Sequence, residues 1–114
     1  MGSELVYFVV SAPDAERIKA FFGPLLGWDF TEGRVPGGFN IEGSTPHGGV
    51  FGGAAASPGI GVYFSVDDLE AAVVKVRELG GEAGKIEGSE AGRYCACKDD
   101  QGTAFSLFEA PHST

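Results

Sequence analysis

The hydrophobic pattern changes its period within residues 61–81. Apolar side chains occupy every second position at Val62, Phe64 and Val66, which predicts a strand with one apolar face. The pair Asp67-Asp68 follows, and such a pair is typical of a helix N-terminus, because a carboxylate there accepts free backbone N–H groups. This segment therefore predicts a strand, a tight polar turn and a helix.

The predicted helix has one apolar stripe and ends at two glycines. Its apolar residues recur every three or four positions, as expected for a helix that packs on a sheet. They are Leu69, Ala72, Val73, Val76 and Leu79. Gly80-Gly81 is expected to end the helix, because glycine adopts the left-handed cap conformation at little cost.

The same strand–helix unit occurs near the start of the chain. The stretch Val6-Tyr7-Phe8 matches Val62-Tyr63-Phe64, and Asp14 opens a helix predicted over 14–22. Gly23-Pro24 should end or tighten this helix, because proline lacks the backbone donor of a further turn. Leu26-Gly27 is expected to close the unit, as Leu79-Gly80 closes the other one. Its apolar stripe consists of Ile18, Phe21, Phe22 and Leu25. The recurrence in register indicates an internal repeat.

Short strand patterns complete both halves of the chain. They are predicted at 28–31, 38–42, 48–53, 82–86, 93–98 and 103–109, with a turn over 43–47. The pattern predicts an α+β fold in one domain over 1–114. Two βαβββ modules, about 4–53 and about 61–109, form a curved mixed sheet with an open cleft and with the helices on its outer face.

Composition and charge exclude several classes of function. The chain has 114 residues and a formal net charge of −8, which disfavours nucleic acid as a partner. No apolar run approaches about 18 residues, so we expect no membrane span. No secretory signal is apparent, and we expect a cytoplasmic protein.

The sequence offers few side chains suited to metal or covalent chemistry. Cys95 and Cys97 share one strand face, and the favoured interpretation is core packing rather than a metal or redox site. His47 is predicted in a turn and is expected to be solvated, and His112 lies in a polar tail. Glu109 ends the last strand and is interpreted as a surface acid rather than a catalytic residue.

Strand alternation predicts a lining for the cleft. Phe8 and Phe64 should face the helices, so the residues that alternate with them should face the cleft. The candidate ligand-binding residues are Tyr7, Val9, Tyr63, Ser65, Ser106 and Phe108. Aromatic rings with a few hydroxyls suit a planar or amphipathic ligand.

Three stretches of the chain resemble a known superfamily. They are FVVSAPDAERIKAFFGPLLGWDF, VYFSVDDLEAAVVKVRELGGEAG and GRYCACKDDQGTAFSLFEAP. Together they are similar to the vicinal oxygen chelate superfamily, also called the glyoxalase/bleomycin-resistance/dioxygenase family. The resemblance implies the paired βαβββ fold, and it is compatible with lyases, isomerases, epimerases, dioxygenases and drug-sequestering proteins.

The resemblance also implies where a metal would be held. Enzymes of the superfamily use His, Gln or Glu on inward strand positions, and the matching positions here are Tyr7, Gly61 and Ser106. The fourth falls within 48–52, where no side chain offers a ligand atom. Because divalent transition metals need imidazole, carboxylate or thiolate donors, we expect no metal and no cofactor.

Three interpretations of the function remain open from the sequence. The leading one is a metal-free small-molecule-binding protein whose ligand is unidentified, and the resemblance implies a homodimer. The alternative is a lyase, isomerase or dioxygenase-like enzyme that acts in the same cleft. Tyr7, Tyr63 or Ser106 would then have acid–base roles. The third is a regulatory module with a vestigial cleft.

Overall fold

The computed structural model describes residues 2–89 and 92–111. The elements in chain order are β1 (Leu5–Ala12), α1 (Ala15–Leu26), β2 (Asp29–Glu32), β3 (Gly38–Glu42), β4 (His47–Gly52), β5 (Gly59–Ser65), α2 (Leu69–Glu78), β6 (Glu82–Ala83), β7 (Glu87–Ser89), β8 (Gly92–Lys98) and β9 (Ala104–Glu109). They form two compact units. The N-terminal unit comprises Tyr7–Gly61, and the C-terminal unit comprises the described residues up to Val6 and from Val62 onward.

The N-terminal unit is a four-stranded mixed sheet with α1 on one face. Its strand order is β2-β3-β4-β1, in which β1 and β4 run parallel and the other pairs run antiparallel. The buried residues of its core are Val10, Ile18, Ile41 and Val50. Phe8, Ala15, Phe22 and Trp28 pack against them. The helix-facing side of β1 is therefore the one that the alternation predicts.

Helix α1 extends beyond the predicted residues 14–22. The Asp14 carboxylate accepts the N–H groups of Glu16 and Arg17 at 3.0 and 3.2 Å, as expected of an N-cap. An end of the helix at Gly23-Pro24 is wrong, because the helix runs on to Leu26 with Pro24 inside it, and the closure predicted at Leu26-Gly27 is confirmed. Proline removes one hydrogen bond only, and the left-handed Gly27 closes the last turn through its N–H to the Gly23 carbonyl.

Both predicted helix stripes are too wide. Phe21 and Leu25 were assigned to the stripe of α1, yet they are 64% and 62% exposed, and Leu79 after α2 is 68% exposed. In α1 the sheet is contacted by Ala15, Ile18 and Phe22, a spacing of three and four residues. A helix on a sheet buries a narrow face, so residues one step off that face remain in solvent.

The C-terminal unit repeats the arrangement with α2 on its sheet. β5 and β9 run parallel, and β9 and β8 run antiparallel. Of the strand predicted over 82–86 only β6, at Glu82–Ala83, is formed, and β7 follows at Glu87–Ser89. Both strands pair with β8. The buried core consists of Leu69, Val73, Cys95, Cys97 and Leu107. Both cysteines thus pack in the core, as the sequence predicts.

A buried carboxylate connects the end of β9 to the start of α2. Glu109 is 6% exposed, so its interpretation as a surface acid is wrong. Its carboxylate accepts the Leu69 N–H at 2.9 Å and the Arg93 guanidinium at 2.7 Å. Arg93 also donates to Glu70 at 2.6 and 2.7 Å. Sequence alternation places Glu109 on the helix side correctly, but it cannot show that the helix N-terminus reaches the strand end.

The α+β fold class with a mixed sheet is therefore confirmed. Two helices are present in the described residues, and neither is long and apolar enough to cross a membrane. The single-domain organisation, the homodimer and the cytoplasmic location remain predictions.

The Glu109 carboxylate is expected to stabilise the fold measurably. Glu109→Gln removes the charge that Arg93 and the Leu69 N–H both bind. Charge-assisted hydrogen bonds contribute about 1.5–3 kcal/mol each, so the free energy of unfolding should fall by about that amount. Urea unfolding measures this free energy. The matched control is Glu70→Gln, at the exposed end of the ion-pair network of Glu109, Arg93 and Glu70, and it should lower the free energy of unfolding less. Equal loss in both variants would contradict a special role for the buried carboxylate.

The same network predicts sensitivity to acid. The hydrogen bond from Arg93 lowers the pKa of Glu70 to about 2 from its usual 4.5. Stability from this ionised form is present above about pH 4.5 and is lost as the pH falls toward 2. The free energy of unfolding, measured from pH 6 to pH 2, should show this loss, and its slope against pH should be shallower in Glu70→Gln. If Glu70→Gln leaves this slope unchanged, the ionised Glu70 is not the source of the acid sensitivity.

The buried Cys97 thiol is expected to react slowly. Burial, with a smaller effect of Cys95, raises the pKa of the Cys97 thiol to about 11. Since only the thiolate reacts, alkylation of Cys97 at pH 8 should be about a hundredfold slower in the native protein than in urea. Iodoacetamide labelling followed by mass spectrometry measures both rates. Equal rates would show that the Cys97 thiol is accessible and ionised in the native protein.

Candidate functional site

Four of the predicted site residues lie together on the C-terminal unit. The register of β5 and β9 pairs Tyr63 with Ser106 and Ser65 with Phe108. The intervening Phe64 and Leu107 pack in the core with α2, so these four residues are on the opposite side of the sheet. We call this surface the tyrosine face. It consists of Tyr63, Ser65, Tyr94, Ala96, Ser106 and Phe108.

Tyr94 is the aromatic residue of this face that the sequence analysis missed. It lies opposite Phe108 across β8 and β9, and its ring meets that of Tyr63 edge to face at 6.4 Å. The signal was present in the sequence, because Tyr94 alternates with Cys95 and Cys97, which were assigned to the core. Tyr94 is 39% exposed, so its ring is open to a ligand.

A glycine makes room for the third ring. A side-chain carbon at Gly92 would lie 2.6 Å from the ring of Phe108, closer than any real contact. Gly92 also has a φ of +136°, a conformation that other residues rarely adopt. The Phe108 ring therefore lies over Gly92, on the same side as Tyr94.

Ser65 has a structural contact as well as a place on the tyrosine face. Its hydroxyl accepts the N–H of Glu4 at 3.3 Å, and its own N–H donates to the Glu4 carbonyl at 2.8 Å. The hydroxyl proton can still be donated to a ligand, because the contact with Glu4 uses only the oxygen.

The other two predicted residues lie in the N-terminal unit. Tyr7 and Val9 are on the side of β1 away from α1, with cross-strand partners His47 and Gly49. The Tyr7 hydroxyl lies against Gly49, where a side-chain carbon would clash with it. Burial raises the pKa of Tyr7, so the phenol stays protonated and can donate a hydrogen bond.

The sequence analysis also missed two polar neighbours of Tyr7. His47 is not in a turn, as predicted, but is the first residue of β4 and lies exposed beside Tyr7. Asn40 on β3 pairs with Gly49 and so shares this side of the sheet. The glycine run after His47 has no side chains from which the alternation of β4 could be read.

The positions that match the superfamily's metal ligands do not fit a metal. Gly61 has no donor, and Tyr7 and Ser106 offer a phenol and a hydroxyl. The β4 strand places Gly49, which has no side chain, opposite β1, and an added side chain there would meet Tyr7. His47 adds one imidazole, which is too few for a transition metal.

An acidic cluster on the C-terminal unit is an ion-pair network rather than a cation site. The carboxylates of Asp68, Glu70 and Glu109 lie within 4.8 Å of one another. Arg93 donates to two of them, and the third, Asp68, accepts the Ala71 N–H as the N-cap of α2. The guanidinium supplies the positive charge that a metal ion would otherwise provide.

A groove beside α1 holds none of the predicted residues. Its volume is about 660 Å³, and its lining includes Pro13, Arg17, Phe21 and Pro58. It presents mainly apolar surface, and so it offers little to fix the orientation of a ligand. The tyrosine face and the Tyr7 region are the stronger candidates.

Comparison with known proteins identifies the family. A model of the glyoxalase-like domain matches residues 7–108. Two proteins named "Putative glyoxylase CFP32", from Mycobacterium bovis and Mycobacterium tuberculosis, are 30% identical over 109 residues, covering 85% of this chain. The chain spans 42% of the length of these curated relatives.

Solved structures share the fold at low sequence identity. A hypothetical protein of Bacillus halodurans has a TM-score of 0.75 at 12% identity, with 100% of this chain and 99% of that chain covered. Methylmalonyl-CoA epimerase of Mycobacterium tuberculosis has a TM-score of 0.67 at 17% identity, with 96% and 88% covered. With its fold, its repeated strand–helix unit and the family match over 7–108, this chain belongs to the glyoxalase-like domain family of the vicinal oxygen chelate superfamily.

Proposed function

We propose that the tyrosine face binds a planar small molecule without a metal. The observation that carries the proposal is the grouping of Tyr63, Tyr94 and Phe108 on the side of the sheet away from α2. Ser65 and Ser106 lie among these rings and supply hydroxyls for orienting a ligand. The lack of metal donors at the matched positions supports binding without chelation.

The geometry of the rings suits a flat ligand. Tyr63 and Tyr94 meet at an interplanar angle of 74°, so a planar molecule can stack on one ring and present its face to the edge of the other. Phe108 adds apolar surface next to Tyr94. Each aromatic contact is worth about 0.5–1.5 kcal/mol beyond the area it buries.

Removing the exposed ring should weaken binding. Tyr94→Ala is expected to reduce the affinity for quinoline, a neutral planar probe at pH 8, about tenfold or more, because stacking and buried area are both lost. Titration calorimetry or the chemical shifts of the tyrosine rings measure the affinity. Phe21→Ala is the matched control, since Phe21 is also exposed but lies on α1.

The control variant should bind as tightly as the parent. If Tyr94→Ala binds quinoline as tightly as the parent does, or if both variants lose affinity equally, the binding surface is elsewhere. Circular dichroism of each variant checks that the fold is retained.

A second function, catalysis at Tyr7, is favoured by a separate observation. The phenol is placed against Gly49, its raised pKa keeps it protonated, and His47 lies on the neighbouring strand. A fixed phenol can donate a hydrogen bond to a carbonyl oxygen that gains negative charge, while the His47 imidazole on the neighbouring strand takes the α-proton and returns it. One structure of the same fold is a methylmalonyl-CoA epimerase, and fold likeness alone assigns no activity.

This second function makes a prediction about proton exchange. If the chain acts on an acyl carbonyl, it should exchange the α-proton of methylmalonyl-CoA in D2O, and Tyr7→Phe should slow the exchange about a hundredfold. Proton NMR measures the rate. Phe21→Ala, which removes an exposed ring on α1 outside the candidate site, is the control and should change the rate less than twofold. Absence of exchange with the parent protein would remove this candidate and leave the binding proposal unaffected.

A further inference from the structure

We propose that the ligand of the tyrosine face is an organic cation, a planar molecule with a quaternary or aromatic nitrogen. The inference rests on the proposed function, because it specifies the charge of the molecule that this face binds. It is carried by the positions of the charged residues around the three rings.

One carboxylate lies next to the rings. β7 pairs with β8 so that Glu87 is the direct cross-strand partner of Tyr94, and the two side chains therefore share one side of the sheet. Direct partners have their Cβ atoms about 4.5–5.5 Å apart. At this distance the Glu87 carboxylate can contact a ligand that is stacked on the Tyr94 ring. Glu87 is exposed, and no ion pair with the described residues neutralises it.

Of the charged residues on β7 and β8, the cation on this side of the sheet lies at the other end of β8. Lys98 is four residues from Tyr94, about 13 Å along the strand by its rise per residue. Its cross-strand partner is Glu82, so an acidic residue shares its surroundings. Arg93 points to the opposite side, where it binds Glu70 and Glu109. Glu87 is therefore the charged residue of these two strands nearest to a group that stacks on Tyr94.

The rings themselves favour the same charge. The face of an aromatic ring is negative, so a cation above Tyr63, Tyr94 or Phe108 is attracted and an anion is repelled. At exposed sites this attraction is worth about 0.5–1 kcal/mol, or two- to fivefold in affinity. A carboxylate beside a cluster of rings is thus complementary to a flat cation.

The net charge of the chain acts in the same direction. A formal charge of −8 raises the local concentration of cations and accelerates their association at low salt. This term is not specific for the tyrosine face, and Glu87 and the rings supply the local selectivity.

Three probes of similar shape and different charge test the inference. They are 1-methylquinolinium, quinoline at pH 8, and naphthalene-2-carboxylate. The affinity should decrease in that order, with the cation at least about threefold tighter than quinoline. Glu87→Gln should weaken the cation about two- to fivefold and leave quinoline unchanged. The matched control is Glu82→Gln, because Glu82 is an acid on the same side of the sheet beside Lys98. This variant should change the affinity for the cation less than Glu87→Gln does.

The outcomes separate the two proposals. If quinoline binds and loses affinity in Tyr94→Ala, but the cation binds no tighter, the inference about charge is wrong and the proposed function stands. The inference also fails if Glu87→Gln weakens quinoline and the cation equally, or if Glu82→Gln has as large an effect as Glu87→Gln. If none of the three probes binds at millimolar concentration, the proposed function itself fails.

Discussion

The buried contact between Arg93 and Glu109 holds the C-terminal unit in the register on which its surface depends. These two residues are direct partners across β8 and β9, on the side that faces α2. The next pair along the strands is Tyr94 and Phe108, on the other side. Because side chains alternate, a slip of β8 by one residue would turn Tyr94 toward the core and Arg93 toward solvent. Such a slip would also separate Arg93 from Glu109 and leave the buried carboxylate without its cation, so it is unfavourable.

The same carboxylate also positions the helix. Glu109 accepts the N–H of Leu69, the first residue of α2, and Leu69 is fully buried in that core, as is Cys95. A helix N-terminus has free N–H groups and a partial positive charge, so a buried carboxylate is stabilised there. The last strand and the first turn of α2 are thus joined by one group, although 40 residues separate them in the chain.

The repeated units share their helix-facing sides and differ on their other sides. In both units alternate strand residues pack under a helix, and the family match and the similar solved structures reflect this shared arrangement. On the opposite sides one unit has tyrosines and phenylalanine, whereas the other has Tyr7 beside His47 and Gly49. Packing constrains the side that faces the helix, so the residues that alternate with it are the ones that can differ between the two units.

The sequence by itself determined the local periods: most of the strands, the two helices, the N-caps at Asp14 and Asp68, and the sides of β1, β5 and β9 that meet a helix. These follow from hydrophobic alternation and capping, which depend on neighbours in the chain. Only the tertiary structure decided that Pro24 is kept within α1, that Glu109 is buried, and that Tyr94, Glu87 and Phe108 meet. These outcomes depend on contacts between distant segments. The burial and the contacts of a carboxylate or a ring cannot be inferred until the strand that pairs beside it is known.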